Sequence, residues 1–216
     1  MTKKKYSHII WDWNGTLLDD VNWCMEIMND MLIKRKLPLL SSISDYHGVF
    51  CFPIIEYYRN LKFDFDEEPF ETLAGEFITA YHFNNTGDSL LHPNVERVLE
   101  VVKKQEITQI ILSASKIENL ISQVSVFNIS HYFDEILGLS DVYARSKIEI
   151  GLDYITRNHV EAALVIGDTV HDYELASALG ADCILVASGH QNRIQLESCH
   201  VPVVDEISEI LNMIKT

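Results

Sequence analysis

Basic residues are scarce in this chain: 17 lysines and arginines stand against 32 aspartates and glutamates in 216 positions, a formal net charge of -15. Such a surface repels a phosphate backbone, so nucleic acid is excluded as an expected partner. Cysteine is sparse as well. Cys24, Cys51, Cys183 and Cys199 lie far apart with no C-x-x-C pair, which argues against a zinc site and a redox motif and predicts reduced, mostly buried thiols. No apolar run approaches the roughly 18 residues of a membrane-spanning helix. The opening MTKKKYSHII is basic, but Asp12 and Asn14 break its apolar run within a few positions, unlike a signal peptide or an anchor, and a cytoplasmic, membrane-free protein is expected. Internal repeats and low-complexity tracts are absent.

What is present is an ordinary globular composition, 47% apolar and 23% charged, in a chain long enough for a core domain carrying a smaller insert. Short apolar runs that stop at small or acidic residues recur at 8–11, 110–112, 164–166 and 183–186, and each reads as a buried strand. Helical patterns lie between and after them at 95–104, 117–127, 147–158 and 172–179, the last stopping at Gly180. The alternation predicts an α/β fold with a doubly wound parallel sheet covered on both faces. From Leu18 to about His92 it breaks: three helical patterns, at 21–36, 53–61 and 69–83, predict an inserted helical subdomain with linkers at 17–20 and 86–93. The expected division is a core of 1–17 and 93–216 and a helical insert of 18–92.

In open parallel sheets ligands bind beyond the carboxyl ends of the strands, and three polar groups lie where the apolar runs end. The first is Asp12-Trp13-Asn14-Gly15-Thr16, where Gly15 permits a tight turn that brings N–H groups towards an anion. Its bland alternative is a turn or helix cap. The second is Ser113, with Ala114 and Ser115 leading towards a helix near Lys116; a hydroxyl there is a phosphate ligand or an N-cap. The third is Gly167-Asp168-Thr169-Val170-His171-Asp172, whose two carboxylates either face one hard cation or cap a helix. The negative surface favours the cation, because a small anionic substrate needs a local reversal of the field.

HIIWDWNGTLLDD, LHPNVERVLEVVKKQEI before ILSAS, FNISHYFDEILG and VIGDTVHDYELASALGA, in this order, resemble the haloacid dehalogenase superfamily and its phosphoglycolate phosphatase-like branch with a helical cap. The resemblance implies a Rossmann-like core and a magnesium-dependent hydrolase of a small phosphorylated metabolite. It makes Asp12 the nucleophile that becomes an aspartyl phosphate, and Asp12, Asp168 and the Asn14 carbonyl the magnesium ligands. Asp172 would orient the ion's water shell, Ser113 would bind phosphoryl oxygens with Gly15, Thr16 and Ala114 beside it, and Lys147 would neutralise charge. Ile148 follows that lysine where the family usually has proline.

Asn14 is the main departure, since phosphatases of this family usually carry there the aspartate that protonates the leaving group and then deprotonates water. An amide does neither. Alternative readings are a phosphotransferase, a phosphonate-cleaving enzyme using a cap lysine (Lys34, Lys36 or Lys62), and a catalytically weak phosphate-binding regulator. His47-Gly48-Val49-Phe50 is a candidate for substrate contact or for packing, and His171 or His47 for a replacement acid. A monomer or homodimer is expected.

Overall fold

The computed structural model describes residues 6–83, 90–140 and 146–214. It divides into two compact units, Met1–Leu18 with Leu91–Thr216, and Asp19–Leu90. The linker expected at 86–93 lies outside the described residues up to position 89.

The strands are β1 (His8–Trp11), β2 (Leu18–Asp19), β3 (Leu90–Leu91), β4 (Thr108–Lys116), β5 (Glu135–Leu139), β6 (Ala163–Gly167), β7 (Asp182–Val186) and β8 (Val203–Val204). Six of them form a parallel sheet in the order β5-β4-β1-β6-β7-β8, while β2 and β3 pair separately. In core-strand numbering this is the order 3-2-1-4-5-6, which reverses direction between β1 and β6. A doubly wound sheet opens its ligand crevice at that switch point.

Alternation along the strands divides the core into two layers, as a sheet buried on both faces requires. Ile9, Trp11, Ile111, Leu164, Ile166, Ile184 and Val186 join one apolar cluster. Ile10, Ile110, Leu112, Val165, Cys183 and Leu185 join the other.

The helices of the insert are α1 (Val21–Lys34), α2 (Ile43–Val49), α3 (Ile54–Asn60) and α4 (Phe70–Phe83); those of the core are α5 (Val95–Lys104), α6 (Ile117–Val126), α7 (Lys147–Arg157), α8 (Val170–Leu179) and α9 (Arg193–Glu197). On α5 the buried residues are Val95, Val98, Leu99 and Val102, a helical stripe of i, i+3, i+4, i+7. Gly180 ends α8 in the left-handed conformation, φ +65°.

Residues 19–90 contain no strand beyond the end residues of β2 and β3 among those described, and they build an apolar cluster of their own from Met28, Met31, Leu32, Tyr46, Phe50, Tyr57 and their neighbours. Helix α2 is an addition to the sequence reading, and Phe50 is buried in this cluster, so its side chain packs. All four cysteines are free, three of them buried. No described helix is long and apolar enough to cross a membrane.

Candidate active site

The carboxyl ends of β1 and β6 lie side by side, with Trp11 in register with Ile166. Asp12 leaves β1 there, its N–H donating to the Ile166 carbonyl at 2.9 Å. The loop that follows is tight: the Trp13 carbonyl accepts from Leu17 and Leu18 at 3.0 and 2.9 Å, and Gly15 N–H donates to Leu18 at 2.9 Å. Two buried tryptophans flank Asp12, Trp11 donating to Gln109 Oε1 at 3.1 Å and Trp13 to Gln123 Oε1 at 3.0 Å. A ring nitrogen of buried His92 lies 3.0 Å from the Gly15 carbonyl, fixing the far side of the loop.

Asp168, from the end of β6, is fully buried. Its Oδ1 accepts from the Thr16 hydroxyl at 2.8 Å and its Oδ2 from the His190 N–H at 2.7 Å. Glycine is required on either side of this carboxylate. A Cβ on Gly15, where φ is +73°, would lie 2.3 Å from Asp168 Oδ2, and one on Gly189 would lie 2.2 Å from it.

Helix α8 is capped by Thr169 and Asp172 in a capping box. The Asp172 Oδ2 accepts from the Thr169 N–H at 3.1 Å and hydroxyl at 2.8 Å, leaving Oδ1 to accept from Lys147 Nζ at 2.7 Å. Thr169, rather than Asp168, is thus the N-cap, and Asp168 is released for the cluster. Lys147 stands at the first position of α7, whose entry is fixed by a Ser146–Glu149 capping box. It also donates to Asp12 Oδ1 at 2.5 Å. Asp12 Oδ2 makes no hydrogen bond to any described residue.

Ser113 and Ser115 differ from their expected setting. Strand β4 runs on to Lys116, with a register irregularity between Leu112 and Lys116, so Ser113 is a buried strand residue and not a helix N-terminus. Bulges of this kind re-aim side chains near functional sites. Here the Ser113 hydroxyl oxygen accepts from the Ser115 N–H at 3.1 Å, and the Ser115 hydroxyl donates to Asn14 Oδ1 at 2.9 Å. Ala114 is exposed beside them. His171 is half exposed, with its ring 3.6 Å from Glu174.

Carboxylate oxygens of Asp12, Asp168 and Asp172 lie within 4.8 Å of one another. Burial, the proximity of Asp172 and Asp168, and incomplete compensation by Lys147 hold the Asp12 carboxyl well above the usual carboxylate range. Burial also raises Asp168, the His190 side opposing it and Asp172 adding to it. Burial works against ionised Asp172 too, but the Lys147 charge and the Lys147 and Thr169 hydrogen bonds outweigh it and hold its pKa below the ordinary value. When all three are ionised, three carboxylates against one ammonium leave two negative charges in excess. A divalent cation with oxygen-ligand preference fits that deficit and this donor set. A separate concavity of about 450 Å³, lined by His92, Glu96, Arg97, Glu100 and Tyr132 among others, includes none of these carboxylates.

The structure therefore brings Asp12, Asn14, Gly15, Thr16, Lys147, Asp168 and Asp172 into one connected set. Sequence reading missed Ser115, Thr169, Gly189 and His190. The last two had one available signal, their place in the loop beyond the carboxyl end of β7.

With fold and cluster in view, residues 9–186 match the family model of the haloacid dehalogenase-like hydrolases, and the chain belongs to that family. Its similarity reaches the phosphoglycolate phosphatase-like branch: over 154 residues it is 24% identical to the phosphoglycolate phosphatase of Pasteurella multocida (strain Pm70), covering 69% of either chain. Among solved structures, a predicted phosphoglycolate phosphatase from Haemophilus somnus 129pt superposes with a TM-score of 0.78 at 19% identity, covering 98% of this chain and 99% of that one. Protein Tyrosine Kinase A of Mycobacterium tuberculosis superposes with a TM-score of 0.82, also at 19% identity, covering 99% and 100%. At these identities the superpositions establish the shared fold.

Proposed function

We propose that the protein is a magnesium-dependent phosphatase-type hydrolase of a small phosphorylated metabolite, of the phosphoglycolate phosphatase-like kind, acting through an aspartyl phosphate on Asp12. One observation carries this reading: Asp12 presents an oxygen with no hydrogen bond to any described residue while Lys147 fixes the other at 2.5 Å. That is a nucleophile oriented by a cation. Asp12, Asp168 and the Asn14 carbonyl would hold magnesium, which when bound supplies charge neutralisation at the transferring phosphoryl group. Lys147 shares the task, and Asp172 keeps its ammonium in place. Ser113, with the Trp13 N–H, would receive phosphoryl oxygens, since the Asp12, Gly15 and Thr16 N–H groups donate to the Ile166, Leu18 and Trp13 carbonyls. The helical unit would act as a cap that selects the substrate and excludes water. A cytoplasmic protein, monomeric or dimeric, suits a small-molecule substrate.

The test is a magnesium titration followed both by turnover and by tryptophan fluorescence, since two of the chain's three tryptophans flank Asp12. Asp168→Ala is expected to raise the half-saturating magnesium at least about tenfold or to eliminate turnover, because it removes a ligand carboxylate. Full wild-type activity in excess chelator would refute the metal assignment. Thr16→Val removes only the hydroxyl on Asp168 Oδ1, and a loss of about 10- to 100-fold in magnesium affinity is expected. An unchanged magnesium titration with a raised KM would instead return Thr16 to substrate binding.

One observation favours a second reading, phosphoryl transfer to an acceptor other than water: Asn14 offers no general base to activate water.

A further inference from the structure

Building on the assignment of Asp12 as nucleophile, we propose that this site takes phosphoryl donors whose leaving group departs without a proton: acyl phosphates, phosphoanhydrides and aryl phosphates in preference to alkyl phosphates. The side chains near Asp12 differ in whether they are able to hand over a proton. Asn14, two residues beyond the nucleophile, is an amide and transfers none. It is also fixed: the Ser115 hydroxyl donates to its Oδ1 at 2.9 Å, and Ser115 is itself held through its N–H by Ser113 at 3.1 Å. The neighbouring loop backbone is pinned by the pairing of Asn14 with Leu18.

The other polar groups are committed elsewhere. Lys147 bridges Asp12 and Asp172 at 2.5 and 2.7 Å, a geometry that commits two of its three N–H donors to holding anions. Both oxygens of Asp172 and both of Asp168 accept from named donors. Among the described residues of the core unit, the rival acid beside Gly15 is the imidazole of His190, whose Cδ2 lies 2.6 Å from where a Gly15 Cβ would stand.

The step balances without an acid only for certain donors. Asp12 Oδ2 forms a bond to phosphorus while the bond from phosphorus to the leaving oxygen breaks, and that oxygen keeps the electron pair as a free anion. Carboxylate, phosphate and phenolate leaving groups are stable in that form, whereas an alkoxide is not. In the second step water attacks the phosphorus, the Asp12 carboxylate leaves as an anion, and the water proton passes to solvent. With no positioned base this step is slow, so the phosphoenzyme accumulates.

The experiment is a series of donors of increasing leaving-group basicity, assayed with saturating magnesium at several pH values for wild type, Asn14→Asp, His190→Gln and Asp12→Asn. A positioned acid is worth about 10² to 10⁴ in rate. Wild type should therefore lose at least about 100-fold in kcat/KM between aryl and alkyl phosphates and show a pre-steady-state burst of leaving group, and Asn14→Asp should recover that loss on alkyl phosphates alone. A flat wild-type series with Asp12-dependent turnover overturns this proposal while sparing the nucleophile assignment. A flat series that steepens in His190→Gln overturns it by identifying His190 as the acid. Turnover that survives Asp12→Asn overturns the nucleophile assignment and this proposal with it. Should Asn14→Asp fail to fold, the wild-type slope decides alone.

Discussion

Asp12→Asn is expected to reduce turnover by at least about 10⁴-fold, to the limit of detection, while leaving the protein folded. Loss of a covalent nucleophile removes the reaction path itself, which is why such variants fall further than variants of supporting residues. The structural half follows from charge. Burial, with Asp172 and Asp168 nearby, raises the Asp12 pKa despite the Lys147 contact. A carboxyl whose folded pKa lies above its unfolded one weakens the fold as pH climbs past about 4, the ordinary carboxylate range. In chelator, wild type should lose stability between that range and neutrality, and Asp12→Asn should lose less. Melting temperatures across pH, measured beside turnover, check both halves. Substantial activity in the well-folded variant would end the aspartyl-phosphate assignment.

Lys147→Met is expected to have the largest effect on stability. Removing one partner of a buried ion pair typically costs about 3 to 5 kcal/mol, because the other charges are left uncompensated, and here two carboxylates share that partner with Asp168 close by. Burial works to lower the Lys147 pKa, but Asp12 and Asp172 outweigh it and raise it above the ordinary lysine value. Its contribution is therefore fully present below the ordinary lysine range and is lost as pH rises through the higher folded value. Asp172, shifted the other way, contributes above the ordinary carboxylate range and loses its contribution as pH falls through its lowered value. The methionine variant should lose both terms, regain stability in mild acid as Asp12 and Asp168 protonate, and show no turnover. Urea unfolding at neutral and mildly acidic pH provides the measurement. Wild-type stability and turnover in this variant would make Lys147 an ordinary helix residue.

The parts of this molecule legible in the sequence are those buried on both sides. The runs at 8–11, 110–112, 164–166 and 183–186 are continuous because both sheet faces are covered, and they coincide with β1, β4, β6 and β7. Strand β5 escaped because every residue in it is only partly buried, as an edge permits, and β8 because two residues set no period. Asp12 and Asp168 stood out through their places at strand ends, and Lys147 only through the family resemblance. Their partners did not, since the Thr16 hydroxyl on Asp168 and the Ser115 hydroxyl on Asn14 are contacts set by sheet register and a bulge across 152 and 101 positions. The placement of Ser113 before a helix failed for the same reason: a strand that outruns its apolar stretch leaves no compositional mark.

The order in which the chain is made bears on this site. Asp12 is synthesised well before its partners: the lysine that grips it follows 135 positions later, and Asp168, immediately after β6, later still. Until those residues follow, position 12 lacks the ammonium and the two carboxylates that surround it in the folded chain. The carboxylate cluster is assembled only when β6 stands beside β1 and the His190 N–H reaches Asp168. On the proposed function, a nascent chain that stops before β6 would carry Asp12 without the groups that make it reactive.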